Sequence, residues 1–490
     1  MAIESKDTPT LSPAFISGVL KVSLSGLSKD LPPFKTVTTD SRKAGPGSLF
    51  VALQGEKLDG HDYIEKAISQ GASGILCQKD KWNANAAQNA ESPLIFRVDD
   101  SLLAYRQLAA AWRSLFHIPV IAVAGSAGKT TTKEFLASIL QGKWTNVLKT
   151  EKSQNGFIGI PMTLLELRPE HQAAVIEVGI DAIGAMQQHL DLVAPTAAVL
   201  TVIGPEHLEL LQDVPTVARE EGIAFSHVGR TGGTLSINLD DPWLRPYASD
   251  ETVKGRKIAF TLAKLPGNLE GLSGKWSPEG EFLLVEGLGI SQTSYPMPLP
   301  GKHNATNLLA AICTAMGLGL TPAEMNRGLT NFIPAEGRSH VQVLPGPFTV
   351  VCDYYNAQPL SVRSGLELLV QLASSSILTG QKWACLADML ELGKEEERFH
   401  RELANIIIHL RIDHLVLYGP RMKFLEDELK LLNYGGTCRH FSSHSELAQD
   451  LIQNIKPSDF ILIKGSRSMK MEEVWKQLEN HTRHANSKSP

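Results

Sequence analysis

Residues 118–134 read Ile-Pro-Val-Ile-Ala-Val-Ala-Gly-Ser-Ala-Gly-Lys-Thr-Thr-Thr-Lys-Glu. The β-branched apolar run Val120 to Ala124 predicts a buried strand, Gly125 to Gly128 a tight turn, and Thr130 to Leu140 a helix with one apolar face. A glycine turn between strand and helix aims consecutive backbone N–H groups and a helix N-terminus at one point, which suits a polyphosphate. Gly125, Ser126, Ala127 and Gly128 form the cradle. Lys129 reaches the outer phosphates, and Thr130, with Thr131 beside it, offers a hydroxyl to Mg²⁺. The common phosphate-loop pattern has four residues between a glycine and its Gly-Lys pair. Here only Ser126 and Ala127 separate Gly125 from Gly128-Lys129, so the flanking strand and helix carry the assignment as much as the motif does.

Other residues join this point through the elements that carry them. Ala173 to Val178 predicts a strand with Glu177 near its end, and Ala197 to Ile203 another, running into Gly204-Pro205-Glu206-His207. In an open α/β sheet ligands lie beyond the carboxyl ends of the strands, which places Glu177 and His207 beside the phosphate loop as magnesium ligands. A lone Glu or His at such a position otherwise caps a helix or sits satisfied in a core. His303, Asn304 and Asn307 open a helix running to Leu318, where their side chains cap it or meet a purine edge. Near the N-terminus, Ser41-Arg42 and Asp59-Gly60-His61 lie in polar turns, read either as capped turns or as loops for phosphate and ribose. Late strands at Phe348 to Cys352, Ala384 to Ala387, His414 to Tyr418 and Phe460 to Ile463 end in Asp353, Asp388 and Lys464-Gly465-Ser466-Arg467.

Alternating strands and helices over 490 residues predict an α/β protein of three domains with mainly parallel sheets. The boundaries are read as 1–115, 116–335 and 336–490, with a helix from Ser101 to Leu115 closing the first domain and the last ten residues frayed. There is no internal repeat and no low-complexity tract. Hydrophobic residues make up 43% of the chain and charged ones 20%, the balance of an ordinary globular protein. A net charge of −5 gives no electrostatic case for nucleic acid or anionic membrane. No apolar stretch approaches bilayer length and the polar start lacks a signal-peptide core, so a cytoplasmic location is expected. Cys77, Cys313, Cys352, Cys385 and Cys438 are scattered, never in CxxC spacing, and read as reduced core residues.

From Asp40 to Glu473 these pieces, in this order, resemble the Mur ligase family of ATP-dependent amide ligases of bacterial cell-wall synthesis. Ile158-Gly159-Ile160-Pro161, Tyr355-Asn356-Ala357-Gln358-Pro359, Asp388-Met389-Leu390-Glu391-Leu392-Gly393 and Lys464-Gly465-Ser466-Arg467-Ser468 are similar to the branch that adds D-alanyl-D-alanine to UDP-N-acetylmuramoyl-tripeptide. The Asp-Asn-Pro-Arg signature of the branch adding the third residue is missing. The resemblance implies a small N-terminal UDP-sugar-binding domain, a central ATPase domain with a short phosphate loop, and a C-terminal Rossmann-like domain that closes on ATP. It implies that Ser41, Arg42, Asp59, Gly60, His61 and Asn155 serve the UDP-linked substrate, and that Asn356, Lys464 and Ser466 serve the incoming dipeptide. ATP would meet the loop Gly125 to Thr131 together with His303, Asn304, Asn307, Arg338 and Asp353. Two Mg²⁺ ions are expected, held by Thr130, Glu177 and His207. A monomer is expected.

Three positions depart from the family. The helix after His207 normally carries a lysine whose amine has taken up CO₂; here no lysine lies between His207 and Lys254, and Glu221 takes that place as an anionic metal ligand. With Lys129, His207 and Arg338 it completes the expected catalytic set. Ala127 stands for a usual Asn, and Ala387 for a Gly before Asp388. A ligase with another acceptor and a nucleotide-binding homologue impaired in turnover are the alternative readings.

Overall fold

The structure, a computed structural model, describes residues 9–22, 32–55, 57–82, 93–277, 281–346, 348–377 and 379–486. They form two compact units: residues 1–122, 144–178 and 187–196 make one, and 123–143, 179–186 and 197–490 the other. Neither unit ends at residue 115 or 335.

In the first unit Thr36–Thr38, Ser48–Val51, Gly74–Gln78 and Leu94–Val98 form a four-stranded parallel sheet in that order. All four residues of Ser48–Val51 are buried, as a strand covered on both faces requires. The helix Ser101–Arg113 is N-capped by the Asp100 carboxylate, which accepts from the Leu103 N–H at 2.9 Å. Its last residue, Arg113, is buried and donates to the Phe116, Val193 and Ala194 carbonyls, so the guanidinium is satisfied without a carboxylate. Val147–Lys149 pairs in parallel with Ala173–Glu177 in the same unit.

In the second unit Ala197–Leu200, Thr234–Asn238, Arg256–Thr261 and Gly271–Trp276 are neighbouring parallel strands, extended by the antiparallel pair Phe282–Gly287 and Ile290–Pro296. The helix Lys302–Gly317 is buried on most of its surface. A six-stranded sheet follows in the order His340–Leu344, Phe348–Cys352, Phe460–Lys464, Lys382–Ala387, His414–Tyr418 and Thr437–Phe441. Only its first strand is antiparallel. Its core gathers Phe348, Trp383, Cys385, Val416, Ile461 and Trp475.

Two expectations are corrected. The strand expected to run to Ile203 stops at Leu200, because side chains take the backbone beyond it: Asn238 Nδ2 donates to the Thr201 carbonyl at 2.7 Å, and Asp241 accepts from the Ile203 N–H at 2.8 Å. The C-terminal tail does not fray at residue 481, since the helix Glu472–Asn486 carries through it; residues 487–490 lie outside the described set. All five cysteines are free, four buried and Cys438 partly so. No helix among the described residues is long and apolar enough to cross a membrane.

Candidate active site

The phosphate loop is built as its composition requires. Gly125 and Gly128 have φ of 114° and 83°, a region costly for residues with a Cβ. A Cβ on Gly125 would lie 2.4 Å from Thr201 Oγ1, and one on Gly128 2.4 Å from Asn307 Oδ1. Ser126 turns inward and exchanges hydrogen bonds with Gly204, its hydroxyl donating to the carbonyl at 3.1 Å and accepting from the N–H at 3.0 Å. The Ala127 carbonyl accepts from the Thr201 hydroxyl. The helix Lys129–Gln141 starts directly on Gly128, so its N-terminal N–H groups face the loop.

Ala127, Gly128 and Thr131 form one wall of a cavity of about 300 Å³ whose other walls include His303, Asn304, Asn307, Arg338, Asp353 and Lys464. Of the residues expected to meet the nucleotide, these line one space together, whereas Gly125, Ser126, Lys129 and Thr130 are not among its lining. Arg338 reaches Thr130 Oγ1 at 3.3 Å and lies 4.2 Å over the Tyr355 ring, while its buried Nε has no hydrogen-bond partner. Arg467 lies 5.3 Å from the same ring, so Tyr355 carries two cations. Asp353 accepts from the Ser339 N–H at 3.0 Å and from Lys464 Nζ at 2.5 Å. Asn304 donates to the Pro300 carbonyl at 2.7 Å and so fastens the helix start. His303 Nε2 lies 3.2 Å from Ser339 Oγ.

Burial holds the His303 imidazole down to about 4, with Asp353 opposing and Lys464 assisting. The unfolded chain takes up this proton near 6.5, so between about pH 6.5 and 4 it binds more protons than the folded chain. Stability is therefore lost as pH falls through that window, by about 2–3 kcal/mol from this residue. Urea midpoints at pH 7 and 4.5 should show a smaller acid loss in His303→Gln than in the wild type; equal losses would refute the assignment.

Beneath the loop lies a cluster of charges. Glu221, fully buried on the helix Val214–Arg230, accepts from the Gly125 N–H at 2.8 Å through Oε2. Lys129 Nζ lies 3.1 Å from Glu206 Oε2. Burial and the neighbouring Glu206 charge push the Glu221 carboxyl well above the usual carboxylate range, with Lys129 opposing. Glu221 Oε1 and Glu206 Oε1 are both buried without a hydrogen-bond partner. His207 opens the helix Leu208–Leu211 at φ 46°, and its Nδ1 lies 2.8 Å from Glu391 Oε2. Burial disfavours the charged imidazole there, but the Glu391 hydrogen bond and the charges of Glu206 and Glu391 outweigh it and raise its pKa.

The first unit holds its own set. Thr39, Asp40, Ser41, Arg42, Gly60 and Ile158 are among the residues lining a cavity of about 430 Å³. Arg42 is exposed and forks onto Asp40, which holds that carboxyl at about 2. Asp59 and His61 do not line this cavity: Asp59 accepts from the His61 N–H at 3.0 Å and lies 2.5 Å from its Nδ1, while His61 Nε2 accepts from the Gln78 N–H. Glu177 is buried at the end of its strand and accepts from Asn155 Nδ2 at 2.8 Å.

Models of the Mur ligase family match three stretches of the chain, described as "Mur ligase family, catalytic domain" over residues 33–115, "Mur ligase middle domain" over 123–315 and "Mur ligase, glutamate ligase domain" over 337–467. The UDP-N-acetylmuramoyl-tripeptide–D-alanyl-D-alanine ligase of Bacillus subtilis is 32% identical over 442 residues, which cover 90% of this chain and 92% of that protein. The chain belongs to the Mur ligase family. A Synechocystis protein of the same name is 32% identical over 94% of this Mur ligase and 96% of its own length. A crystal structure of MurF from Acinetobacter baumannii superposes with a TM-score of 0.81 at 26% identity, covering 96% of this chain and 99% of that one.

Within this Mur ligase two partners escape a reading of single residues: Glu206 for Lys129 and Glu391 for His207. Glu206 stands beside an expected ligand and Glu391 lies inside a quoted motif, but the pairings arise only from tertiary placement. Two residues expected to meet the dipeptide are tied to the backbone. Asn356 Oδ1 accepts from the Ala357 N–H at 2.9 Å. Ser466 donates to the Ala357 carbonyl at 3.2 Å and accepts from the Leu390 N–H at 2.9 Å.

Proposed function

We infer that this Mur ligase joins D-alanyl-D-alanine to UDP-N-acetylmuramoyl-tripeptide at the expense of ATP, in peptidoglycan precursor synthesis. The observation that carries this is the cavity lined by Ala127, Gly128 and Thr131 of the phosphate loop together with Arg338, Asp353 and Lys464, in a chain matching such ligases over nine-tenths of its length. A carboxylate is a poor electrophile. Its oxygen attacks the γ-phosphorus, ADP leaves, and the resulting acyl phosphate accepts the dipeptide amine. The tetrahedral adduct loses phosphate and a proton to give the amide. Lys129, the N-terminus of its helix and Arg338, which reaches Thr130 Oγ1, meet the negative charge of the transferring group.

Two glycines that leave no room for a Cβ, an unpartnered buried guanidinium nitrogen and two unpartnered buried carboxylate oxygens fit a nucleotide with a divalent cation. Thr130, His207 and Glu221 of the second unit would hold Mg²⁺, whose charge offsets repulsion between the attacking carboxylate and the γ-phosphate. Among the described residues no three His, Cys, Asp or Glu side chains gather closely enough to hold an ion alone. Mg²⁺ commonly keeps several waters and phosphate oxygens. The chain is read as three domains divided at 115 and 335, with the UDP-linked substrate in the first and the dipeptide in the third; three separate family matches, over 33–115, 123–315 and 337–467, support the count. The enzyme is read as a cytoplasmic monomer.

The direct test is phosphate release with ATP, Mg²⁺, UDP-N-acetylmuramoyl-tripeptide and D-alanyl-D-alanine, omitting each in turn. Release should require all four, and release without the dipeptide or the tripeptide would refute the acceptor assignment. Glu221 has two roles to separate, since it both anchors Gly125 and supplies a carboxylate. Glu221→Gln keeps an acceptor for the Gly125 N–H and removes the charge. If Glu221 replaces the carbamate, this variant should lose about 10²-fold in kcat with ADP affinity retained, and bicarbonate should restore nothing. Full activity, or rescue by bicarbonate, would overturn the replacement.

A further inference from the structure

His207, which opens the helix Leu208–Leu211, meets the loop Asp388–Gly393 that follows the strand Lys382–Ala387, and each side of this contact carries a residue in an uncommon conformation. His207 has φ 46° and Glu391 φ 65°. Non-glycine residues in this left-handed region cost of order 1 kcal/mol or more, and they persist where the surroundings fix them. The surroundings here are specific. Met389 N–H donates to His400 Nε2 at 3.1 Å and Leu390 N–H to Ser466 Oγ at 2.9 Å, which fasten the loop to its own sheet. On the far side Glu209 N–H points at the Glu391 carbonyl at 3.4 Å. A Cβ on Gly393, itself at φ 57°, would stand 3.1 Å from Glu209 Cα.

The side chains finish the arrangement. Glu391 Oε2 is 2.8 Å from His207 Nδ1. A carboxylate only accepts, so in the neutral imidazole the Nδ1 position carries the proton and the Nε2 lone pair is left available. Nε2 makes no hydrogen bond to any described residue. An imidazole held by a carboxylate at one nitrogen and open at the other is the usual state of a metal-binding histidine, whose tautomer and orientation its carboxylate partner sets. The alternative is a surface ion pair, since the Glu391 side chain is 58% exposed, and such pairs contribute little.

We propose that Glu391 is the positioning residue for His207: it fixes the Nδ1–H tautomer and aims Nε2 at the cation of the nucleotide site. The cation half of this inference rests on the reading of His207 given above; the tautomer half does not. Because the loop carrying Glu391 is anchored through Met389 and Leu390 to His400 and Ser466, the competence of His207 depends on that loop staying seated on the helix Leu208–Leu211.

Two measurements on the full-length protein test it. In metal-free, ¹⁵N-histidine-labelled protein at pH 9, the His207 resonances, identified by their loss in His207→Ala, should show Nδ1 protonation in the wild type. They should show the Nε2-protonated form in Glu391→Ala, with Glu391→Gln between the two. An unchanged tautomer in Glu391→Ala overturns the proposal. In the second measurement Mn²⁺ affinity is read by electron paramagnetic resonance with ADP present. Glu391→Ala should weaken it about tenfold, within the range seen for such outer partners, with an unchanged melting temperature and no further loss on a His207→Ala background. Losses that simply add, or wild-type affinity in Glu391→Ala where His207→Ala is impaired, also overturn it. If His207→Ala itself binds Mn²⁺ normally, the cation reading of His207 fails instead, and the tautomer measurement alone decides the role of Glu391.

Discussion

Replacing Lys129 by Met should lower kcat for ADP formation about 10³-fold at saturating ATP. Preorganised charge aimed at a transferring phosphoryl group is worth roughly 3–4 kcal/mol per donor. Lys129 is the first residue of its helix, set where helix dipole and ammonium act on the same point. Its side chain is 13% exposed and that of its partner Glu206 1%, so Glu206 cannot simply turn to water once the ammonium is gone. The variant should therefore also lose about 1–2 kcal/mol of stability, from a buried carboxylate left without its partner. Single-turnover ADP formation and a thermal melt read the two effects separately, and a rate within tenfold of the wild type would remove Lys129 from the chemistry.

Lys464→Met should cost about 3–5 kcal/mol of unfolding free energy, the expected effect of breaking a buried ion pair from one side. The Lys464 side chain is 2% exposed, and Nζ meets Asp353 at 2.5 Å and the Asn356 carbonyl at 2.9 Å. Burial lowers its pKa, with Asp353 opposing. Removing the ammonium leaves the Asp353 charge uncompensated in the junction that also carries Ser339 and Arg338. The double variant Lys464→Met, Asp353→Asn keeps the acceptor for Ser339 N–H and removes that charge. Urea denaturation should show it recovering at least half of the loss, while ATP turnover stays impaired. A double variant no more stable than the single one would show that packing, not charge, holds this junction.

The phosphate loop was legible because its chemistry is local. Strand, glycines, lysine and helix are consecutive, and two positive φ values follow from having no Cβ. The sites at strand ends were legible in type but not in partner. Glu177 and Asp353 stand at or just beyond strand ends as expected, while His207 opens a helix seven residues past its shortened strand, and whether each meets Asn155, Lys464 or Glu391 depends on elements tens to hundreds of residues away. Asp59 and His61 read as a ligand loop, but side chains two residues apart satisfied each other first. The shortened strand after Ala197 shows the same limit, since the residues that peel its backbone away, Asn238 and Asp241, come from the next strand and the turn beyond it.

The close seating of Gly128 against Asn307 has a mechanical consequence. The helices that begin at Lys129 and Lys302 both open onto the cavity, and a missing methyl group lets them meet at their first turns. Their interiors are almost wholly buried, so neither slides without repacking the other. The spacing between the glycine turn at Gly128 and the part of the cavity lined by His303 and Asn304 is thus a fixed length, set by side-chain volumes in one block. Such a gauge would measure a ligand from a single reference, and any adjustment to a longer or shorter one would fall to Arg338, Asp353 and Lys464, which line the same space.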